Sequence, residues 1–141
     1  MQSDRSNDSR LVMLVDDDGA LLEALTDALV DAGFAVEGFT EPEAAIARLQ
    51  HGPTPDALIV DYIMPQMDGE ELARRVRSFG LEVPVLLLSG RERDPQSERG
   101  LPVRLVMQKP IRLEQLLDWL ADVVTRPRAG YDSVATFSAA K

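Results

Sequence analysis

Five polar residues stand at the ends of short apolar runs, and their types are those of cation and phosphoryl chemistry. Asp16 and Asp17 follow Leu11 to Val15, Asp61 follows Ala57 to Val60, Ser89 follows Pro84 to Leu88, and Lys109 comes two residues after Val103 to Met107. Three carboxylates gathered in a partly desolvated cleft would repel one another, so a cation must compensate. An all-oxygen set without His or Cys suits a hard ion, and Mg²⁺, which keeps waters and binds through one or two carboxylates plus phosphate oxygens, fits better than zinc. Asp61 would then be both metal ligand and nucleophile toward a phosphoryl group, an attack that needs neutralised equatorial oxygens and in-line positioning. Lys109 offers an ammonium for those oxygens, and Ser89 a hydroxyl.

Each residue taken alone has a plainer reading. An acidic run such as Asp16 to Asp18 is commonly a solvated turn and helix cap, an isolated lysine snorkels to the surface, and an isolated serine is a loop hydroxyl. The functional reading rests on convergence at one place. Asp18 is assigned as the cap of the first helix, Asp68-Gly69 as a turn and helix start, and Arg74, Arg75 and Arg77 as a solvated helix face. His51, beside Gly52 and Pro53, belongs to an exposed loop. Trp119 is assigned to packing or partner contact, while Tyr62 either shields the site or is an exposed loop aromatic.

Convergence requires a particular arrangement of elements. Leu11 to Val15 is a continuous apolar run fitting a strand buried on both faces. From Leu21 the period turns helical, through Leu25, Ala28, Leu29 and Ala32, with Gly33 placed to stop the helix. The unit then repeats in kind. A second strand spans Phe34 to Phe39, and Thr40 is the expected N-cap of a helix with Pro42 in its first turn. A third strand, Ala57 to Val60, ends in Asp61, and a helix follows with Leu72, Val76 and Phe79 on one face. Pro84 to Leu88 and Val103 to Met107 are the fourth and fifth strands, and Leu113, Leu116, Leu117, Leu120 and Val124 stripe the last helix. This alternation predicts an α/β fold: a doubly wound, five-stranded parallel sheet of order 2-1-3-4-5, flavodoxin-like, with helices on both faces. Arg91 to Gly100 holds Pro95 and almost no apolar residues, so the fourth of five helices is expected to be short, displaced or absent. In such sheets ligands bind at the carboxyl ends of the strands, where all five polar residues fall.

Over nearly all of Leu11 to Val124 the sequence resembles the response-regulator receiver family of two-component signalling. The resemblance is carried by Val15-Asp16-Asp17, by Asp61-Tyr62-Ile63-Met64-Pro65-Gln66-Met67-Asp68-Gly69, by Ser89-Gly90 and by Lys109-Pro110, in this order on these elements. It implies that Asp16 and Asp17 hold Mg²⁺ together with Asp61 and the backbone carbonyl of Ile63. It implies further that Asp61 accepts the phosphoryl group of a phosphohistidine, that Ser89 and Lys109 bind the phosphoryl oxygens, and that Lys109-Pro110 is a cis peptide. Partners would be a sensor histidine kinase or a histidine phosphotransfer domain, together with an output protein, and the chain would act as a switch rather than a conventional enzyme. The run Leu105 to Pro110 is similar to that of receivers attached to hybrid sensor kinases. Many receivers carry Tyr or Phe three residues before the lysine; this chain has Val106, so aromatic switching is unavailable.

The bulk numbers agree with a single domain. The chain has 141 residues, 45% of them hydrophobic, no cysteine and a net charge of -9. That length accommodates one core, expected over residues 10–125, with 1–9 a disordered lead and 126–141 a flexible tail. An acidic chain without Lys and Arg clusters is not expected to bind nucleic acid directly. No membrane span or secretory signal is apparent, and the absence of cysteine agrees with a cytoplasmic address. Two other functions compete. Asp16 to Asp18 also resembles the nucleophile motif of haloacid-dehalogenase-type phosphatases, which would make Asp16 the nucleophile. The fold could also be a phosphorylation-independent interaction module.

Overall fold

The computed structural model describes residues 10–90, Gln96 and residues 99–125. The lead, the tail and most of the stretch from Arg91 to Gly100 lie outside these residues, and with them the expectations of disorder, flexibility and an irregular fourth helix. The described chain alternates strand and helix. Its elements are β1 (Leu11–Val15), α1 (Gly19–Asp31), β2 (Ala35–Phe39), α2 (Pro42–Leu49), β3 (Ala57–Asp61), α3 (Gly69–Ser78), β4 (Val85–Ser89), β5 (Leu105–Gln108) and α4 (Leu113–Thr125). All strand pairings are parallel. The sheet order is β2-β1-β3-β4-β5, the doubly wound order expected from the sequence.

The continuous apolar runs serve two faces at once, because successive strand residues point to opposite sides. Met13, Val15, Leu58, Val60, Val85, Leu87 and Val106 belong to one core cluster with Ala45, Ile46 and Leu49 of α2 and Leu72, Ala73 and Val76 of α3. Val12, Leu14, Ile59, Leu86, Leu88, Leu105 and Met107 pack on the other side against Leu25 and Leu29 of α1 and Leu116, Trp119, Leu120 and Val124 of α4. Trp119 is thus a packing residue, and His51 is exposed.

Element boundaries move where backbone geometry overrides pattern. Phe34 closes α1 instead of opening β2: its N–H donates to the Leu29 carbonyl (3.0 Å), and Gly33, at φ 104°, donates to Val30 (2.9 Å). This is the left-handed helix end that glycine favours. α2 begins at Pro42 with Glu41 at the N-cap, not Thr40, and Glu41 makes no side-chain cap bond. Proline at the first helical position has no N–H in need of a cap, which lowers the demand for one. Pro84 precedes β4 but still accepts from Leu58 N–H (2.9 Å), and β5 starts two residues later than its apolar run. Among the described residues no helix is long and apolar enough to cross a membrane.

Candidate functional site

Two strand ends, those of β3 and β4, and the loops after β1 and β5 assemble the site. The backbone N–H of Asp16 donates to Phe39 (3.0 Å), which continues the β1–β2 ladder by one rung and fixes where the side chain emerges. Asp16 is only 2% exposed. Its Oδ1 accepts from Asp18 N–H (2.9 Å), whereas its Oδ2 is buried with no hydrogen-bond partner. Asp17 is exposed beside it. Asp18 caps α1 as expected, accepting from Ala20 N–H (3.1 Å) and Leu21 N–H (3.2 Å).

Asp61 is the last residue of β3 and 7% exposed. The backbone after it is clamped from two sides: Tyr62 N–H donates to Leu88 (2.8 Å) and Tyr62 C=O accepts from Gly69 N–H (2.7 Å). Asp68 caps α3 by accepting from Glu71 N–H (2.8 Å), so Asp68-Gly69 is the helix start foreseen from sequence. Gly69 has a second duty that the sequence did not disclose. A Cβ there would lie 2.6 Å from the Asp61 carbonyl oxygen and 2.8 Å from Leu87 Cδ2, so α3 can start this close to Asp61 only without a side chain. Tyr62 is not an exposed loop aromatic. It is half-buried against the core, with its hydroxyl 3.4 Å from Glu70 Oε1.

Ser89 ends β4, buried, with Gln108 as its neighbour in β5. Its carbonyl accepts from Lys109 N–H (2.7 Å), and Lys109-Pro110 is cis. Lys109 Nζ lies 3.0 Å from Asp61 Oδ1 and 4.0 Å from Asp16 Oδ2. Asp16, Asp17 and Asp61 each bring a carboxylate oxygen within 4.8 Å of the others. Ile63, two residues past Asp61, is 53% exposed.

Among the described residues, the Lys109 ammonium lies against two of the three clustered carboxylates, and the buried Oδ2 of Asp16 has no hydrogen-bond partner. Burial pushes the Asp16 carboxyl above its ordinary value; Asp61 and Asp17 push the same way, while the Asp18 N–H and Lys109 oppose them. A hard divalent cation fits this set, because every donor is oxygen and one buried oxygen of Asp16 has no hydrogen-bond partner. The raised Asp16 value also fixes a sign. A carboxyl that binds its proton more tightly when folded stabilises the fold below its folded pKa, and that contribution is lost as pH rises through the raised value. Asp16→Asn can keep the Asp18 bond through its amide oxygen, so without metal it is expected to gain about 1–2 kcal/mol at neutral pH. Urea unfolding in chelator across pH checks this; a variant no more stable than the parent near neutrality contradicts it.

Residues 12–121 match the family described as the response regulator receiver domain. The chain belongs to that family. Among its relatives, the receiver is 35% identical to the response regulator MprA of Mycobacterium avium (strain 104), over 90% of this chain and 58% of that protein. It is 34% identical to MprA of Mycobacterium leprae (strain TN), over 88% of this chain and 56% of that one. The chain thus spans less than two thirds of these relatives. A response regulator receiver protein from Sinorhizobium medicae WSM419 superposes with a TM-score of 0.73 at 27% identity, covering 83% of this chain and 95% of that one. The Francisella response regulator 1452 receiver domain shares the fold at a TM-score of 0.76 and 20% identity, covering 83% and 98%. Family membership sets aside the phosphatase reading of Asp16. In this receiver Val106, three residues before Lys109, is buried within the core cluster to which α2 and α3 contribute.

Proposed function

We propose that this receiver is a Mg²⁺-dependent phosphoacceptor that takes a phosphoryl group from a phosphohistidine onto Asp61 and thereby changes its partner contacts. The observation that carries the reading is the Asp61 carboxylate at a strand end, with an ammonium at 3.0 Å and a partnerless buried carboxylate oxygen close by. Asp16, Asp17, Asp61 and the Ile63 carbonyl would hold the ion, which when bound supplies charge neutralisation to the phosphoryl oxygens.

The chain's own residues do the rest. An Asp61 carboxylate oxygen forms the new O–P bond as the P–N bond to imidazole breaks, and the imidazole leaves with the electron pair of that bond. Lys109 and the Ser89 hydroxyl bind the equatorial oxygens, where charge accumulates in the transition state. Burial of Asp61 limits water on the acyl phosphate. The donor is a sensor histidine kinase or histidine phosphotransfer domain, and the receiver works in the cytoplasm as a switch that assists its own phosphorylation and dephosphorylation. The output lies in another protein or in a further part of a longer chain, a hybrid sensor kinase being the arrangement favoured by Leu105 to Pro110.

Acetyl phosphate with Mg²⁺ should label the receiver once, and peptide mapping should place the label on Asp61. Label on Asp16, or none in the presence of Mg²⁺, overturns the proposal. Asp17→Asn should weaken Mg²⁺ binding by on the order of tenfold or more, the scale expected for a lost oxygen ligand; an unchanged affinity by calorimetric titration removes Asp17 from the ligand set. Lys109→Ala should slow labelling by on the order of a hundredfold, the scale of one lost charge-stabilising donor, with a much smaller change in melting temperature. Equal losses of both would make Lys109 a structural residue.

A further inference from the structure

Tyr62, directly after Asp61, is tied to the start of α3 both through its backbone and through its side chain. Its carbonyl accepts from Gly69 N–H (2.7 Å), and its hydroxyl donates to Glu70 Oε1 across 3.4 Å. Glu70 is held in turn, since its Oε2 accepts from Arg74 Nη2 (2.6 Å) one turn further along the helix. A run of contacts thus leads from the peptide after Asp61 to an exposed guanidinium on α3. The Tyr62 side chain also packs against the core cluster that includes Met64, Met67 and Leu72. Packing alone would be met by phenylalanine; a half-buried tyrosine brings a hydroxyl that needs a partner, and here the partner lies beyond the loop that Tyr62 opens.

We infer that Tyr62 is a positioning residue for the metal site, whose hydroxyl, held by Glu70, fixes the backbone from which the Ile63 carbonyl projects. This rests on the Mg²⁺ reading above, in which that carbonyl is a ligand, and adds residues that the reading leaves without a role. Tyr62 acts through its neighbour and is not itself a ligand. Mg²⁺ demands near-ideal octahedral geometry, so a carbonyl that must be reoriented at each binding event costs affinity. The Tyr62–Ile63 peptide lies one φ/ψ pair from that carbonyl. Tyr62 N–H to Leu88 (2.8 Å) holds it toward β4, and the Gly69 and Glu70 contacts hold it toward α3. Coupling of this kind is reciprocal: whatever loosens the Tyr62–Glu70 contact weakens Mg²⁺, and Mg²⁺ strengthens the contact.

Calorimetric Mg²⁺ titration of the full chain, with hydrogen exchange of the Gly69 amide in chelator as a second readout, tests this without any phosphodonor. Tyr62→Phe keeps the ring and should bind Mg²⁺ about threefold to fivefold more weakly, the scale of one hydrogen bond behind a ligand. Its Gly69 amide should exchange faster by a similar factor, at temperatures where both proteins are fully folded. Glu70→Ala, at the helix surface, should show the same two losses. Glu70→Gln still offers the hydroxyl an oxygen and should stay within about twofold of the parent. Tyr62→Phe combined with Glu70→Ala should be no weaker than either alone, because both remove one contact. Parent-like Mg²⁺ affinity in Tyr62→Phe and Glu70→Ala overturns the inference, as do losses that add in the double variant. A parent that binds no Mg²⁺ overturns the metal reading and the inference with it, whereas a binding parent with unaltered variants overturns only the positioning role.

Discussion

Asp61→Asn is expected to take phosphoryl incorporation from acetyl phosphate down to background while leaving a folded, metal-free protein at least as stable as the parent. The amide oxygen cannot form the acyl phosphate, so the loss is of the acceptor atom itself and should exceed on the order of a hundredfold. The fold should survive because Asp61 contributes to the sheet through its backbone: the β3–β4 register ends at the Asp61–Leu88 pair, which the isosteric change leaves in place. Stability should hold or rise by about 1 kcal/mol, because one of three clustered negative charges is gone while the amide still offers Lys109 an oxygen. Mass spectrometry of the treated variant together with urea unfolding in chelator reads both effects. Labelling that persists at the parent's rate would place the acceptor elsewhere.

Gly69→Ala is expected to be the most disruptive single methyl group near the site. The added carbon would meet the Asp61 carbonyl oxygen at 2.6 Å, Leu87 Cδ2 at 2.8 Å and the Tyr62 Cα at 3.1 Å. Two of these are backbone atoms, clamped by the bonds from Tyr62 N–H to Leu88 and from Gly69 N–H to Tyr62, and Leu87 is fully buried. None can retreat alone, so the loop from Asp61 to Asp68 must move, at about 2–4 kcal/mol of stability. Because the displaced carbonyl belongs to Asp61, Mg²⁺ affinity should fall with it, even at temperatures where the variant is fully folded. Gly19→Ala is the control, since nothing lies within 4 Å of that added carbon, and its change should stay within about 1 kcal/mol. Equal behaviour of the two variants in denaturant would mean that α3 can back away freely.

The contrast between these glycines shows where the sequence was and was not readable. Strands buried on both faces must be apolar throughout, so β1, β3 and β4 stand out as runs, and the polar residues behind them mark the edge where Asp16, Asp61 and Ser89 meet. Helix starts were legible where a side chain does the capping, as at Asp18 and Asp68. They were not where proline makes capping dispensable, as at Glu41-Pro42. Phe34 and Val103 look like strand residues because they are apolar, yet Phe34 serves a helix end and Val103 lies buried in the core outside β5. The crowding at Gly69 had no signal in the chain's pattern, since it arises from a carbonyl eight residues earlier brought back by a loop. The reach of Lys109 to both carboxylates is likewise a product of three strands meeting, not of any spacing along one.

Val106 gives the wall beside the cleft a particular mechanical character. It is 3% exposed, set between Val103 and Lys109 on the strand that delivers the ammonium. A β-branched side chain holds essentially one χ1, and a close-packed surrounding offers it no second well to occupy. β5 therefore contributes no hinged reporter next to Asp61. Under the proposed phosphorylation, readout by a partner would fall on the lysine ammonium and on Ile63, exposed two residues past Asp61, or on charge itself. The receiver would then be read less by a side chain's turned position than by a changed electrostatic rim.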